Sequence, residues 1–331
     1  MDRFITILKW VGSFIGVLLV FFVSYVTIKG NPTFDAPLPD LAAVQDSAVI
    51  ARGQHLAFGP AHCASCHAPM DKFEEIEAGL VMPLQGGWEL NIPPGSFRAP
   101  NLTPDMETGI GSFSDGQLAR ALRYSIRHDG TQLFPFMPFQ NMSDADVISI
   151  ISFLRSQPAV KNELKRTELS FLGKAISAFG LIQPEGPSGT PPKWVPEDST
   201  ATYGEYLANS VANCLGCHTD RDLKTGAFIG EPYAGGMLME SDPHIEGLRF
   251  VSPNLTPHHE HGVMAKWDEE MFKARFRTGR IHKGSPMPWG AFARMSDVEL
   301  KALYRYFQSL EPLDGYVKKT VYRDGEAPAP G

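Results

Sequence analysis

Cysteine is scarce in this chain, with four residues among 331. A disulfide framework belongs to short, cysteine-dense secreted chains, so that class is set aside. Positive charge is also in deficit: 30 lysines and arginines face 37 aspartates and glutamates, a net charge of −7. Nucleic-acid binding needs a basic surface, which excludes a nucleic-acid partner. No nucleophile or paired general acid and base stands out, and no catalytic residues are assigned.

All four cysteines fall into two copies of one pattern. These are Cys63-Ala64-Ser65-Cys66-His67 and Cys214-Leu215-Gly216-Cys217-His218. Cys-x-x-Cys-His is the attachment signature of c-type haem, in which both cysteines form thioethers and the histidine becomes the proximal iron ligand. A thioredoxin-like Cys-x-x-Cys needs a βαβ context that the sequence does not offer. A Cys2His2 zinc site sets its histidines well downstream of the cysteines, not beside them. The pattern predicts two covalently bound c-type haems, with iron ligands His67 and His218.

Trp10 to Ile28 is a run of 19 residues without a charge. At helical rise it covers about 28 Å, close to the hydrocarbon thickness of a bilayer. Arg3 and Lys9 precede it, which keeps its start in the cytoplasm. The run is longer than a usual signal-peptide core and no A-x-A site follows, so an uncleaved anchor is expected over a cleaved leader. Haem of this type is attached outside the bacterial cytoplasm. The expected location is therefore the inner membrane, with a single N-terminal pass and the haem units in the periplasm.

The haem motifs lie inside a larger duplication. Gly53-Gln54-His55-Leu56-Ala57 and Gly204-Glu205-Tyr206-Leu207-Ala208 each begin ten residues before the first cysteine. Pro100-Asn101-Leu102-Thr103-Pro104 returns as Pro253-Asn254-Leu255-Thr256-Pro257, and Phe113 to Gly130 matches Trp267 to Gly284. The period, near 150 residues, far exceeds that of a solenoid and marks domain duplication. Ser143 with Asp146 and Ser296 with Glu299 are Ser-x-x-acid helix starts. Val147, Ile150, Ile151 and Leu154 then trace one apolar helix face, as do Leu300, Leu303, Tyr304 and Phe307. Ser114 and Asp268 open another matched pair of helices.

The prediction is all-α: an N-terminal transmembrane helix followed by two small helical domains completed by haem. The expected boundaries are 1–29 for the cytoplasmic start and anchor, 30–48 for a tether and 49–158 for the first domain. A Pro/Gly-rich linker with a short helix follows over 159–199, then the second domain over 200–314. A C-terminal tail, mobile from Gly325 onward, covers 315–331. The short helix, within the apolar stretch Leu169 to Ile182, packs between domains or lies in a membrane interface.

A distal methionine completes the iron coordination of electron-transfer cytochromes and raises their potential. Met137 and Met287 are the candidates. Each precedes a proline in a Pro-rich loop, and they lie 70 and 69 residues after their histidines. His128 and His282, also paired, are the alternative distal ligands. Met142 and Met295 read as hydrophobic staples at helix starts. Arg98 and Arg249 precede the two Pro-Asn-Leu-Thr-Pro copies and are candidate partners for haem propionates. His258-His259-Glu260-His261 reads as a solvated loop.

The run Pro-Asn-Leu-Thr-Pro-Asp, Thr108-Gly109-Ile110-Gly111, a helix, Met137-Pro138 and Ser143-Asp144-Ala145-Asp146 resembles class I cytochrome c domains. More narrowly, this run and Cys214 to Arg221 resemble the cytochrome c subunits of membrane-bound bacterial dehydrogenases of the alcohol and gluconate types. The resemblance spans roughly Ile50 to Pro312. Those subunits typically carry three haem motifs, and this chain has two. The resemblance implies His/Met haems that pass electrons from a partner dehydrogenase, or a quinol-oxidising complex, towards a terminal oxidase or other acceptor. The rival expectation is a dihaem peroxidase, which needs one haem with an open sixth position.

Overall fold

The structure is a computed structural model that describes residues 2–222, 225–240, 247–323 and 325–326. The chain opens on helix α1 (Asp2–Lys29). Its stretch Arg3–Lys29 is long and apolar enough to cross a membrane, and almost none of it is buried.

The first repeat then runs through α2 (Ser47–Phe58), α3 (Ala64–His67), α4 (Phe73–Glu77), strands β1 (Glu89–Ile92) and β2 (Gly95–Arg98), α5 (Asp115–Tyr124) and α6 (Asp144–Ser156). Strand β3 (Glu168–Leu169) and α7 (Phe171–Ala178) follow. The second repeat has α8 (Ala201–Tyr206), α9 (Cys214–Cys217), strands β4 (Leu238–Glu240) and β5 (Leu248–Val251), α10 (Glu269–Arg277), α11 (Trp289–Phe292), α12 (Asp297–Ser309) and β6 (Val321–Arg323).

The fold is mostly helical, but the expectation of an all-α protein is corrected by two three-stranded antiparallel sheets, ordered β1-β2-β3 and β4-β5-β6. Each hairpin lies in a stretch between haem motif and Pro-Asn-Leu-Thr-Pro that reads as loop. The strands are only two to four residues long, too short for a period of two to register. The third strand of each sheet comes from beyond the last helix of its repeat, a pairing no local pattern announces.

Within each repeat the first and last helices cross at a glycine. A Cβ on Gly53 would stand 1.9 Å from the Ser149 carbonyl oxygen, and one on Gly204 would stand 2.0 Å from that of Ala302. Only glycine permits backbones this close, which explains why both Gly-x-x-Leu-Ala copies begin with it. Leu56, Val147, Ile150 and Ile151 from one repeat and Leu207, Leu300, Leu303 and Phe307 from the other are buried in one continuous core.

The helix starts have physical caps. Ser114 and Ser296 form full capping boxes with Gln117 and Glu299, and Asp268 caps α10. Ser143 accepts from the Asp146 N–H, but the Asp146 carboxylate turns away to Arg52 (3.1 Å) and to the Tyr206 hydroxyl (2.7 Å). The Ser143 N–H donates to Tyr206 instead, at 2.9 Å. Across the same contact His55 Nε2 lies 2.8 Å from Glu299. His55 and Tyr206 are equivalent positions, as are Asp146 and Glu299, so the two repeats meet through a pseudo-symmetric exchange of polar side chains. A second contact sets the Glu77 carboxylate of α4 against Arg280 (2.9 Å) and the Gly290 N–H of α11 (3.3 Å).

The segment expected as a tether is fastened to the first repeat. Phe34 N–H donates to Gly130 (2.9 Å), Ala43 N–H to Asp115 (2.8 Å) and Val44 N–H to the Ser152 hydroxyl (2.9 Å). The linker serves as a cap: the carbonyls of Pro192 and Lys193 accept from the N–H groups of Asp144 and Ala145 at the start of α6. Of the expected tail, 321–323 are β6, and 324 and 327–331 lie outside the described residues.

Candidate functional site

Each haem motif is a short helix entered through a left-handed residue. His62, just before Cys63, has φ +41°, and Asn213, just before Cys214, has φ +54°. The turn sets both cysteines and the histidine on one short element. Burial pushes the Cys63 and Cys214 thiols up to about 12 and Cys66 to about 11, and raises Cys217 as well. These are neutral thiols, unlike the low-pKa thiolates of redox enzymes.

Both histidines are buried and held by the same device. His67 Nδ1 lies 3.0 Å from the Pro100 carbonyl oxygen, and His218 Nδ1 lies 3.0 Å from that of Pro253. A carbonyl only accepts, so Nδ1 carries the proton and Nε2 presents a lone pair. Burial drives both imidazoles below their ordinary pKa, against the upward pull of those carbonyls. A neutral imidazole with Nδ1–H tied to a backbone carbonyl is the state a metal-ligating histidine needs. Two thiols beside such an imidazole, twice over, form a donor set that fits c-type haem.

The loop that supplies those carbonyls is itself braced. The side chain of Asn101 accepts from the Thr103 N–H (2.9 Å) and donates to the Val160 carbonyl (2.8 Å). Asn254 does the same with Thr256 (2.8 Å) and Leu313 (2.8 Å). Asn101 and Asn254 are almost fully buried. The repeated Pro-Asn-Leu-Thr-Pro is thus a histidine-orienting clamp tied to the chain beyond the last helix. The repetition is visible in sequence, but this role is not. The Asn-x-Thr spacing, which closes on its own backbone, is the signal that points to it.

Met137 and Met287 sit in matched loops ahead of α6 and α12, half-buried against the core. Each backbone carbonyl accepts from the residue two further on, Phe139 (3.0 Å) and Trp289 (2.8 Å). The loops are clamped by arginines that sequence reasoning passed over. Buried Arg123 donates to the carbonyls of Gln140 and Met142 and to Asp144. Arg277 donates to the Ala293 carbonyl (2.6 Å) and Asp297 (2.7 Å). Their matched positions in the duplicated α5 and α10 segments carry the signal. Met142 and Met295 are fully buried core residues.

Of the alternative ligands, His128 stacks on Phe113 at 3.9 Å, and His282 is exposed. Arg98 and Arg249 each stand opposite a glutamate in strand register, Arg98 at the open end of its hairpin and Arg249 at the turn end of the other. Arg98 is paired with Glu89 (2.8 Å) and bonded to the Arg166 carbonyl; Arg249 donates to the Glu326 carbonyl (3.0 Å). In the His258–His261 turn, His258 accepts from the His261 N–H, and His261 pairs with Asp314 at 2.5 Å.

No family model matches the chain. Among curated proteins it is 31% identical over 238 residues to a "Diheme cytochrome c-type" protein of Cereibacter sphaeroides, covering 70% of this chain and 72% of the relative. It is 28% identical over 286 residues to the cytochrome c subunit of the quinone-dependent alcohol dehydrogenase of Gluconobacter oxydans, covering 80% of this chain and 55% of the relative. Against the fructose dehydrogenase cytochrome subunit of Gluconobacter japonicus it is 26% identical over 302 residues, covering 88% of this chain and 57% of the relative. The chain therefore spans little more than half the length of these two dehydrogenase subunits. These likenesses imply covalently bound c-type haem.

Proposed function

Because this chain belongs to the same c-type cytochrome family as that dihaem relative, we propose that it is a membrane-anchored dihaem electron carrier. The observation that carries this reading is the duplicated ligand set: two Cys-x-x-Cys-His helices, each with its histidine Nδ1 tied at 3.0 Å to a proline carbonyl.

Bound haem supplies reversible one-electron chemistry at iron. The chain's residues hold and tune it. Cys63, Cys66, Cys214 and Cys217 form the thioethers. His67 and His218 give Nε2 to the irons, and the proline carbonyls fix their ring orientation and strengthen them as donors. Met137 and Met287 would each give a thioether sulfur to the iron of their unit, which would raise its potential. Residues 49–158 and 200–314 each form one class I cytochrome c unit.

α1 anchors the chain in the bacterial inner membrane, and the charges of Arg3 and Lys9 keep its start cytoplasmic. The haem units then lie in the periplasm. The named relatives that are dehydrogenase subunits make a dehydrogenase the proposed donor, with electrons passing on towards a quinone-linked complex or terminal oxidase. The test is purification of the full-length chain from native membranes in mild detergent. A dehydrogenase subunit recovered in stoichiometric yield supports this assignment. Recovery of quinol-oxidising subunits in stoichiometric yield without a dehydrogenase contradicts the proposed donor.

A further inference from the structure

Helix α7 is short and turns large apolar side chains outward. Phe171, Leu172, Phe179 and Leu181 are 50%, 51%, 54% and 73% exposed. Four such side chains on one short segment form a surface that water does not favour. The segment's only charge is Lys174.

The covered halves of Phe171 and Phe179 pack on α1. Phe22 meets Phe171 edge-on at 6.0 Å and stacks on Phe179 at 6.0 Å. Tyr25 meets Phe179 at 5.3 Å, and its hydroxyl donates to the Ala178 carbonyl at 3.2 Å. Phe22 and Tyr25 lie seven and four residues before Lys29, the end of α1, so they sit about 10 Å and about 6 Å inside that end at helical rise. Interfacial helices bury their apolar faces ~5–10 Å into the boundary between headgroups and acyl chains. The stem of Lys174, by contrast, lies against Gly30 just past the end of α1, from where its ammonium can reach the headgroups. The depth of the rings, the level of the lysine and the exposed apolar side chains all agree.

We propose that α7 is a membrane foot: with the last turns of α1 it lies in the outer-leaflet interface and seats the first repeat on the lipid surface. The consequence is orientation. Ser170, which caps α7, and the adjacent strand β3 are bonded into the β1–β2 hairpin. On that hairpin Phe97 packs against Phe134 (4.3 Å) and Phe136 (5.4 Å), next to Met137. The distal loop of the first haem unit is therefore one packed layer from the foot, and the first unit is the one nearest the membrane.

This inference rests on α1 being an anchor, and the test separates the two. Full-length protein, kept oxidised, carries a nitroxide at Leu172→Cys, Leu181→Cys, Val20→Cys (within α1) or Asp129→Cys (exposed, on the first repeat) in phospholipid nanodiscs, and relaxation under nitrogen gives the baseline of each site, so that any constant contribution from haem iron cancels. Relaxation by oxygen, which partitions into lipid, is compared with relaxation by a water-soluble nickel chelate. The expected result is oxygen accessibility several-fold above chelate accessibility at 20, 172 and 181, with the reverse at 129. Chelate dominance at 172 and 181 with 20 in lipid overturns the foot and leaves the anchor standing. Low accessibility to both reagents at 172 and 181 also overturns it, because protein then covers the helix. Chelate dominance at 20 overturns the anchor and the foot together.

Discussion

Met137 and Met287, proposed as distal ligands, carry the sharpest residue-scale prediction. A thioether ligand holds the ferrous state more tightly than imidazole does, so replacing it lowers the potential. Met137→His is expected to shift one haem downward by ~100 mV or more, a modest share of the ~0.8 V that axial ligands span. The other haem should stay in place, and Met287→His should do the reverse. Spectroelectrochemical titration of each variant checks this, and an unshifted pair of waves would remove both methionines from the coordination sphere. The histidines and cysteines were legible because the attachment chemistry imposes a fixed spacing. The proline carbonyls were not, since an acceptor on the backbone leaves no side-chain signature. Arg123 and Arg277 were missed for a related reason: they act on carbonyls of a distant loop, and only the fold brings donor and acceptor together.

Element-scale predictions follow from how the helices meet. Gly53 touches the Ser149 carbonyl with no room for a methyl group. Gly53→Ala is expected to destabilise the protein by about 1–3 kcal/mol through forced separation of α2 and α6. Gly204→Ala should cost a similar amount, and thermal unfolding of both holoproteins measures it. A cost near zero would mean that the helices slide apart freely. The helices themselves were readable, since Ser143, Ser296, Ser114 and Asp268 each precede an apolar stripe and each caps a helix. The strands were not. Two-to-four-residue pieces have no usable period, and β3 and β6 join their hairpins from some 70 residues away.

At the scale of the whole molecule the two repeats are joined by buried polar groups, which makes their union sensitive to acid. Burial favours the neutral form of Glu299, but His55, the Ser296 N–H and Arg52 outweigh it and hold the carboxyl below its ordinary value. A folded pKa below the unfolded one, about 4.3, contributes stability that is fully present above that pH. It is lost as pH falls through the folded value. Glu299→Gln should therefore lower the melting temperature most near neutral pH, by an amount corresponding to about 1–3 kcal/mol. The difference from the unmodified protein should shrink below about pH 4. A difference that is flat with pH would show that Glu299 acts through packing alone. The duplication was plain in the sequence. The exchange of His55 with Glu299 and Tyr206 with Asp146 was hidden, because these pairs are 244 and 60 residues apart.

The central claim is that both haem units are closed, His/Met-ligated electron relays. A redox titration of the full-length protein under argon and again under carbon monoxide tests it most directly. Two one-electron waves per chain, with potentials and reduced spectra unchanged by carbon monoxide, are the predicted result. A single wave, or a carbon monoxide adduct formed stoichiometrically at one haem, would contradict it and place a ligand-accessible iron where this account has a methionine.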